Sequence, residues 1–162
     1  METCRLIYRS IATAEVVSNE TLREIEAAAA KNNGATGVTG LHVLAENVFL
    51  QVLEGSPGVV NSLYLGIAMD KRHRAVELVT YESRVQPLFT EWSMRLVDLY
   101  DLPGEKRALM AEKYGDGKGG VRVPAELQRV YALLFDAQHI CSNTPWRLAT
   151  DGAATPQASR KS

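Results

Sequence analysis

The pattern of apolar and polar residues along the first hundred positions predicts five strands and two helices. Short runs rich in β-branched, aromatic and aliphatic side chains have the composition of strands, and apolar residues at three- and four-residue spacing indicate helices. The predicted strands cover residues 5–10, 39–44, 48–53, 75–82 and 92–99, and the predicted helices cover 21–34 and 56–70. In the first strand, Leu6, Tyr8 and Ser10 share one face, so we expect Tyr8 to point inward.

Capping and turn residues set the predicted ends of these elements. Thr21 begins a capping box, and the triplet Asn32-Asn33-Gly34 is expected to end the same helix. Ser56 as cap and Pro57 at the first helical position open the second helix. The polar turn 45–47 joins two strands into a hairpin. The resulting order, βαββαββ, predicts a ferredoxin-like α+β sandwich in which a mainly antiparallel sheet carries both helices on one face.

Beyond residue 100 the pattern changes to a helix, a glycine-rich loop and a second helix, predicted over 105–114, 115–120 and 124–139. We expect residues 1–100 to form one domain and 101–141 a helical segment whose apolar stripe folds onto the free face of the sheet. Residues 142–162 are rich in Ala, Thr, Ser and Pro, so we expect them to form a disordered tail.

Composition limits the classes of function. With 162 residues, 46% of them hydrophobic, the chain can form one well-cored domain and a small extension. The net charge of −1 gives no overall attraction to nucleic acid or to an anionic membrane. Cys4 and Cys141 form no metal-binding motif, so we expect reduced thiols and no metal site. No secretion signal or membrane span is recognisable, which predicts a cytoplasmic location.

Gln51 is the candidate functional residue that the pattern itself singles out. It is the one polar residue in the apolar run 48–53, which predicts a strand covered on both faces. A buried amide without partners would cost roughly 2 kcal/mol or more, so Gln51 must meet a polar group of the protein or of a ligand. Rotation or tautomerisation reverses the donor and acceptor pattern of its tip without a change in volume. Such a residue can act as a switch.

Four motifs lie in order along the predicted core, and a fifth follows the second helix. They are residues 6–10, residues 32–33 with 39–40, residues 49–55, residues 89–94, and Asp70 to His73. Together they resemble the BLUF family, bacterial sensors of blue light that use FAD, and the similarity covers about residues 4 to 100. It implies a short stand-alone photoreceptor that has no enzymatic activity and whose product is a changed conformation.

The resemblance implies that Tyr8 and Gln51 form the photoactive pair. In the family, the excited flavin takes an electron and then a proton from the tyrosine, and recombination leaves the glutamine rearranged. A stronger hydrogen bond at the flavin C4 carbonyl then shifts the absorption band to the red. Trp92 and Met94, two residues apart, are expected on one face of the fifth strand and are implied as the relay to the surface. Each of these residues also fits an ordinary role in the core.

The resemblance also implies the cofactor, FAD, although the residues themselves do not distinguish FAD from FMN or riboflavin. The flavin ring would lie between the two helices, where the small side chains of Ala27 to Ala30 permit close approach. The implied cofactor-binding residues are Asn32, Asn33, Gln51, Asp70, Arg72 and His73. The asparagine pair is otherwise a good helix terminus, and the basic cluster otherwise complements a helix dipole. We interpret His42 and His139 as structural.

The implied partners are proteins. We expect a homo-oligomer and a separate effector, with a cyclic-di-GMP phosphodiesterase as one candidate taken from the family, and no nucleic-acid or membrane partner. Two alternatives remain open. A ferredoxin-like hydrolase of acyl phosphates would need a phosphate-cradling glycine loop, which residues 34–40 supply only loosely. A light-insensitive flavin-binding module would keep the fold, but Tyr8 and Gln51 together argue against it.

Overall fold

The computed structural model describes residues 2–13 and 19–143. Within those ranges it contains four α-helices and a five-stranded sheet of order β4-β1-β3-β2-β5. The strands are β1 (Cys4–Ala12), β2 (Thr39–Ala45), β3 (Val48–Gly55), β4 (His73–Glu82) and β5 (Leu96–Asp98). The helices are α1 (Asn19–Thr36), α2 (Pro57–Met69), α3 (Gly104–Tyr114) and α4 (Leu127–Ser142). Neighbouring strands are antiparallel except for β2 and β5. The ferredoxin-like α+β prediction is confirmed.

Side chains alternate along each strand and so point to two faces of the sheet, and helices cover both faces. Leu6 and Tyr8 of β1 pack with Val60 of α2 and with the end of α1, and we call this side the α1/α2 face. Ile7 of β1 packs on the other side with Leu133 of α4, and we call this the α3/α4 face. The apolar stripe of α4 is therefore buried on the sheet face opposite α1 and α2, as expected.

Helix α1 is longer than predicted at both ends. It begins at Asn19, two residues before the expected capping box, and continues through the triplet Asn32-Asn33-Gly34. Gly37 follows the helix in the left-handed region, at φ 73°, and the Val38 amide closes the turn by donating to the Asn33 carbonyl at 3.0 Å. Glycine adopts this conformation at little cost. The helix therefore ends later than the triplet suggested.

The β2–β3 hairpin is tighter than predicted. Its turn holds two residues, Glu46 and Asn47, so that Ala45 pairs with Val48. In this register His42 lies directly opposite Gln51. The predicted three-residue turn would have shifted the pairing by one residue and turned the wrong side chains of β2 toward each face.

The fifth strand is shorter than predicted, and the chain before it is irregular. The amides of Gly40 and His42 donate to the carbonyls of Trp92 at 3.2 Å and Arg95 at 2.8 Å. Three residues of this segment therefore span two residues of β2, and the extra residue reverses the alternation of side chains. Trp92 packs on the α3/α4 face and Met94 on the α1/α2 face. The prediction that they share a face is wrong.

The described part of the chain ends just after α4. The predicted tail lies outside the described residues, apart from Ser142, which ends α4, and Asn143. In the described ranges, no helix has the length and apolar content needed to cross a membrane.

Candidate functional site

Three polar side chains lie side by side on the α1/α2 face at the centre of the sheet. Tyr8 of β1 pairs with Gln51 of β3, and Gln51 pairs with His42 of β2. Their exposed fractions are 0%, 3% and 3%, so all three are buried. Side chains that face each other across antiparallel strands have Cβ atoms about 5 Å apart. The three polar tips therefore share one small region of the interior.

Gln51 is hydrogen-bonded on both sides. The Tyr8 hydroxyl donates to its Oε1, and its Nε2 donates to the sulfur of Met94 at 3.3 Å. A thioether sulfur is a weak acceptor, so the amide can exchange Met94 for a stronger acceptor at small cost. Burial, helped by Tyr64 and Asp70, raises the pKa of Tyr8, which keeps its hydroxyl protonated and able to donate.

Asn33 ties the end of α1 to the segment before β5. Its side chain is buried, and its Nδ2 donates to the Ser93 carbonyl at 2.9 Å. Because α1 continues past the predicted end, Asn33 falls four residues after Ala29 and eight after Ile25, on the stripe that faces the sheet. Asn32 is exposed. The structure therefore brings Asn33 to the site and leaves Asn32 at the surface.

The other three predicted cofactor-binding residues follow α2 directly: Asp70 and Arg72 lie before β4, and His73 is its first residue. Arg72 donates from its main chain and its guanidinium to the Asp70 carboxylate at 2.5 to 3.0 Å. This hydrogen bond is the main cause that lowers the pKa of Asp70. His73 turns inward instead, with Nδ1 2.7 Å from the Ser10 hydroxyl, and burial is the main cause that lowers its pKa. Asp70 and Arg72 thus form an ion pair nearer the surface, whereas His73 lies beside the three buried side chains at the centre of the sheet.

Contacts between aromatic rings connect His73 to the centre of the sheet. The ring centroid of His73 lies 5.1 Å from that of Phe49 and 6.2 Å from that of Tyr8. The His73 and His42 rings are nearly parallel, 13° apart in plane and 6.2 Å between centroids. His42 also contacts Phe49 at 4.5 Å. The site is therefore a continuous band of rings and amides on the α1/α2 face.

Sequence reasoning gave no functional role to His42, Ser10 or Phe49. The signal that could have placed His42 is the register of the hairpin, since a two-residue turn between Ala45 and Val48 pairs it with Gln51. Ser10 was expected on the same face as Tyr8, and the structure agrees, because its hydroxyl contacts His73 on that face.

The residues of this band fit a flavin. Asn33 and Gln51 supply amide donors and acceptors of the kind that the polar edge of an isoalloxazine ring needs. The last two residues of the alanine run, Ala29 and Ala30, are half-buried against this face, while Ala27 and Ala28 are exposed. Arg72 supplies a partly exposed cation suited to phosphate. The glycines that a phosphate-cradling loop would need lie instead in α1, in the turn after it and in β2.

A buried ion pair on the α3/α4 face links the site strands to the C-terminal helices. Arg5 of β1 donates from Nε to Glu54 of β3 at 2.6 Å, and Glu54 also accepts the backbone amides of residues 88 and 89 at 2.8 to 3.0 Å. Arg5 reaches the Tyr131 hydroxyl of α4 at 3.2 Å, and Tyr131 in turn donates to Glu82. Glu54 lies three residues beyond Gln51 on the same strand.

Comparisons with known proteins found a matching family model and several similar proteins. The family model described as "BLUF: Sensors of blue-light using FAD" matches residues 3–95. Photoactivated adenylate cyclase subunit alpha of Euglena gracilis is 39% identical over 66 residues, which are 41% of this chain and 6% of that protein. The dark-state structure of BlrB, a BLUF protein, is similar with a TM-score of 0.67 and 25% identity over 87% of this chain and 97% of BlrB.

A third similar protein is Klebsiella pneumoniae BlrP1, solved with FMN and cyclic diGMP and no metal ions. Its TM-score is 0.57, with 30% identity, and the match covers 65% of this chain and 28% of BlrP1. The matched segments therefore cover less than a third of BlrP1 and about a sixteenth of the cyclase subunit.

Proposed function

This chain belongs to the BLUF family of blue-light sensors that use FAD, and from that premise we propose that Tyr8 and Gln51 are its photoactive pair. The function is detection of blue light with a flavin cofactor. The observation that carries the proposal is the buried hydrogen-bond chain from Tyr8 through Gln51 to Met94. In this chain the protonated phenol of Tyr8 lies on one side of the Gln51 amide, and the sulfur of Met94, a weak acceptor, lies on the other.

The proposed cofactor contacts follow the band of rings and amides. Asn33, Gln51 and His73 would line the flavin ring, and Asp70 and Arg72 would lie toward the ribityl and phosphate end. We propose Asn32 beside the ring as well, next to Asn33 near the end of α1, where its side chain is exposed as that of Arg72 is. When bound, the flavin absorbs blue light and in its excited state accepts an electron.

The protein supplies the donor and the switch. Tyr8 is a neutral phenol, since its raised pKa excludes a phenolate, and its hydroxyl proton can leave along the hydrogen bond to Gln51. Rotation or tautomerisation of Gln51 then exchanges donor and acceptor at its tip without a change in volume. Met94 loses only a weak hydrogen bond. A tenfold shift between two conformations needs about 1.4 kcal/mol, comparable with one or two buried hydrogen bonds.

Substitution of the tyrosine tests the pair. Tyr8→Phe should retain bound flavin and lose the reversible red shift after blue illumination, because the phenol hydroxyl is gone. Tyr64→Phe is the matched control, since that ring centroid lies 5.6 Å from the ring of Tyr8 and the substitution leaves the hydroxyl next to Gln51 intact. A normal red shift in Tyr8→Phe, measured by absorption difference spectra, would contradict the assignment.

The proposed output route crosses the sheet. Residues 51 and 54 share strand β3, and Glu54 holds Arg5, the backbone of residues 88 and 89 and, through Arg5, Tyr131 of α4. A small displacement of β3 would reach both the segment before β5 and α4. Hydrogen exchange compared in the dark and in the light should change at amides 88–97 and in α4. Exchange that changes only in α1 and α2 would contradict this route.

We propose that the signal passes to an effector protein or to a homo-oligomer, and that this chain is cytoplasmic and has no enzymatic activity of its own. A cyclic-di-GMP phosphodiesterase is a candidate effector, supported by the likeness to BlrP1, whose structure contains cyclic diGMP. Light scattering in the dark and under blue light measures self-assembly. A pull-down with a purified phosphodiesterase that is identical in both conditions would contradict light-dependent binding to it.

A further inference from the structure

The imidazole of His42 is a buried polar group on the α1/α2 face that the photoactive pair does not use. It is 3% exposed, and its Nε2 has no hydrogen-bond partner among residues 2–13 and 19–143. The backbone of His42 is fixed by its pairing with Gln51 and by its amide, which donates to Arg95. A buried polar atom without a partner costs free energy, so a ligand that supplies a partner would recover that cost.

The surroundings of His42 place this atom within the flavin-binding band. Its side chain lies beside that of Gln51 across the strands, and its ring packs against Phe49 and parallel to His73. His42 therefore joins the photoactive end of the band to the end that holds His73. Burial, followed by the positive character of His73 and Arg72, lowers the pKa of His42 to about 3. The ring is neutral near pH 7, with one nitrogen that donates and one that accepts.

We infer that His42 is a further flavin-contacting residue, whose Nε2 forms a hydrogen bond with a heteroatom of the bound cofactor next to Gln51. The inference rests on the proposed function and adds β2 to the elements that hold the flavin. Because the contact lies beside the amide that rearranges, it affects the affinity for flavin and also the energy of the absorption band.

A substitution that removes the nitrogen but keeps an apolar side chain of similar size tests the contact. Flavin-free His42→Leu should melt at a higher temperature than the flavin-free wild type, because the unpaired buried atom is gone. With FAD added, the same variant should gain less thermal stability, and its Kd for FAD should be roughly two- to tenfold higher. If His42 had only a packing role, the substitution would shift the melting temperatures of the flavin-free and FAD-bound forms by the same amount, and the gain on adding FAD would not change.

Two further variants and one resonance complete the test. His42→Gln keeps a polar tip and should recover part of the affinity, and His139→Leu, an exposed imidazole on α4, should leave the Kd unchanged. In the wild type, the ¹⁵N chemical shift of His42 Nε2 should move when FAD is added. The absorption maximum of the dark state should differ between wild type and His42→Leu.

These experiments distinguish a failure of the proposed function from a failure of the role of His42. A wild-type protein that takes up no FAD would overturn the proposed function. A wild-type protein that binds FAD and responds to light, with an unmoved His42 resonance and with His42→Leu equal to it in Kd and absorption maximum, would overturn the role of His42 alone. If His42→Leu does not fold, the resonance in the wild type decides.

Discussion

Removal of Arg5 should destabilise the protein far more than removal of an arginine in a surface ion pair. The Arg5 and Glu54 side chains are 6% and 1% exposed, and their Nε and Oε1 atoms are 2.6 Å apart. Arg5→Met keeps the length of the aliphatic stem but leaves Glu54 as a buried carboxylate with only backbone amides as partners. Loss of one partner of a buried ion pair costs about 3 to 5 kcal/mol.

Urea unfolding followed by circular dichroism measures this cost. Arg84→Met is the matched control, because the Arg84 and Glu2 side chains are 79% and 59% exposed and their ion pair should contribute at most about 1 kcal/mol. The double variant Arg5→Met with Glu54→Leu removes both buried charges, so it should be more stable than the sum of the single effects predicts.

The single and double variants of Arg5 and Glu54 form a double-mutant cycle, and two results would contradict the prediction. If Arg5→Met costs no more than Arg84→Met, the buried pair does not tie β1 and β3 to α4 as the contacts imply. Strict additivity of the two buried substitutions would show that Arg5 and Glu54 act independently, and the proposed output route would then lose its first step.

Three other predictions concern packing, titration and the switch. Gly40→Ala should lower the free energy of unfolding in urea by several kcal/mol, since its Cβ would lie 2.1 Å from the Val52 carbonyl oxygen. Gly66→Ala is the control: its Cβ would have no atom within 4 Å, so it should be neutral or stabilising by up to about 1 kcal/mol. Equal effects would contradict the close approach of β2 to β3 at Gly40. His42 has a pKa of about 3 when folded and 6.5 when unfolded, so the unfolded chain binds more protons as the pH falls. Flavin-free wild type should therefore lose about 2 kcal/mol between pH 7 and pH 5 relative to His42→Leu, and parallel pH profiles would contradict the neutral buried ring. Gln51→Leu should bind flavin without a red shift after illumination; a normal shift would exclude Gln51 as the switch.

Local sequence signals predicted the elements that carry Tyr8 and Gln51. The alternation in β1 places Tyr8 with Leu6 on one face, since side chains along a strand follow a period of two. The apolar run of β3 indicates a strand covered on both faces, so Gln51 has to be buried. Pro57 and the apolar stripe after it correctly predicted α2, which ends at Met69.

The features that sequence reasoning missed depend on register and on long-range pairing. The length of the hairpin turn decides whether His42 faces Gln51, and one residue more or less reverses the result. The extra residue opposite β2 that separates Trp92 from Met94 appears only once the segment is hydrogen-bonded to that strand. The end of α1 was misplaced because two glycines lie close together there, and the one with positive φ is Gly37.

We propose that blue light rearranges hydrogen bonds around a flavin held on the α1/α2 face. An absorption spectrum of the purified protein with FAD, taken before and just after blue illumination and followed through dark recovery, tests it most directly. We expect an oxidised-flavin spectrum that shifts to the red as a whole and returns in the dark, without bleaching. Bound flavin whose spectrum does not change on illumination would contradict it.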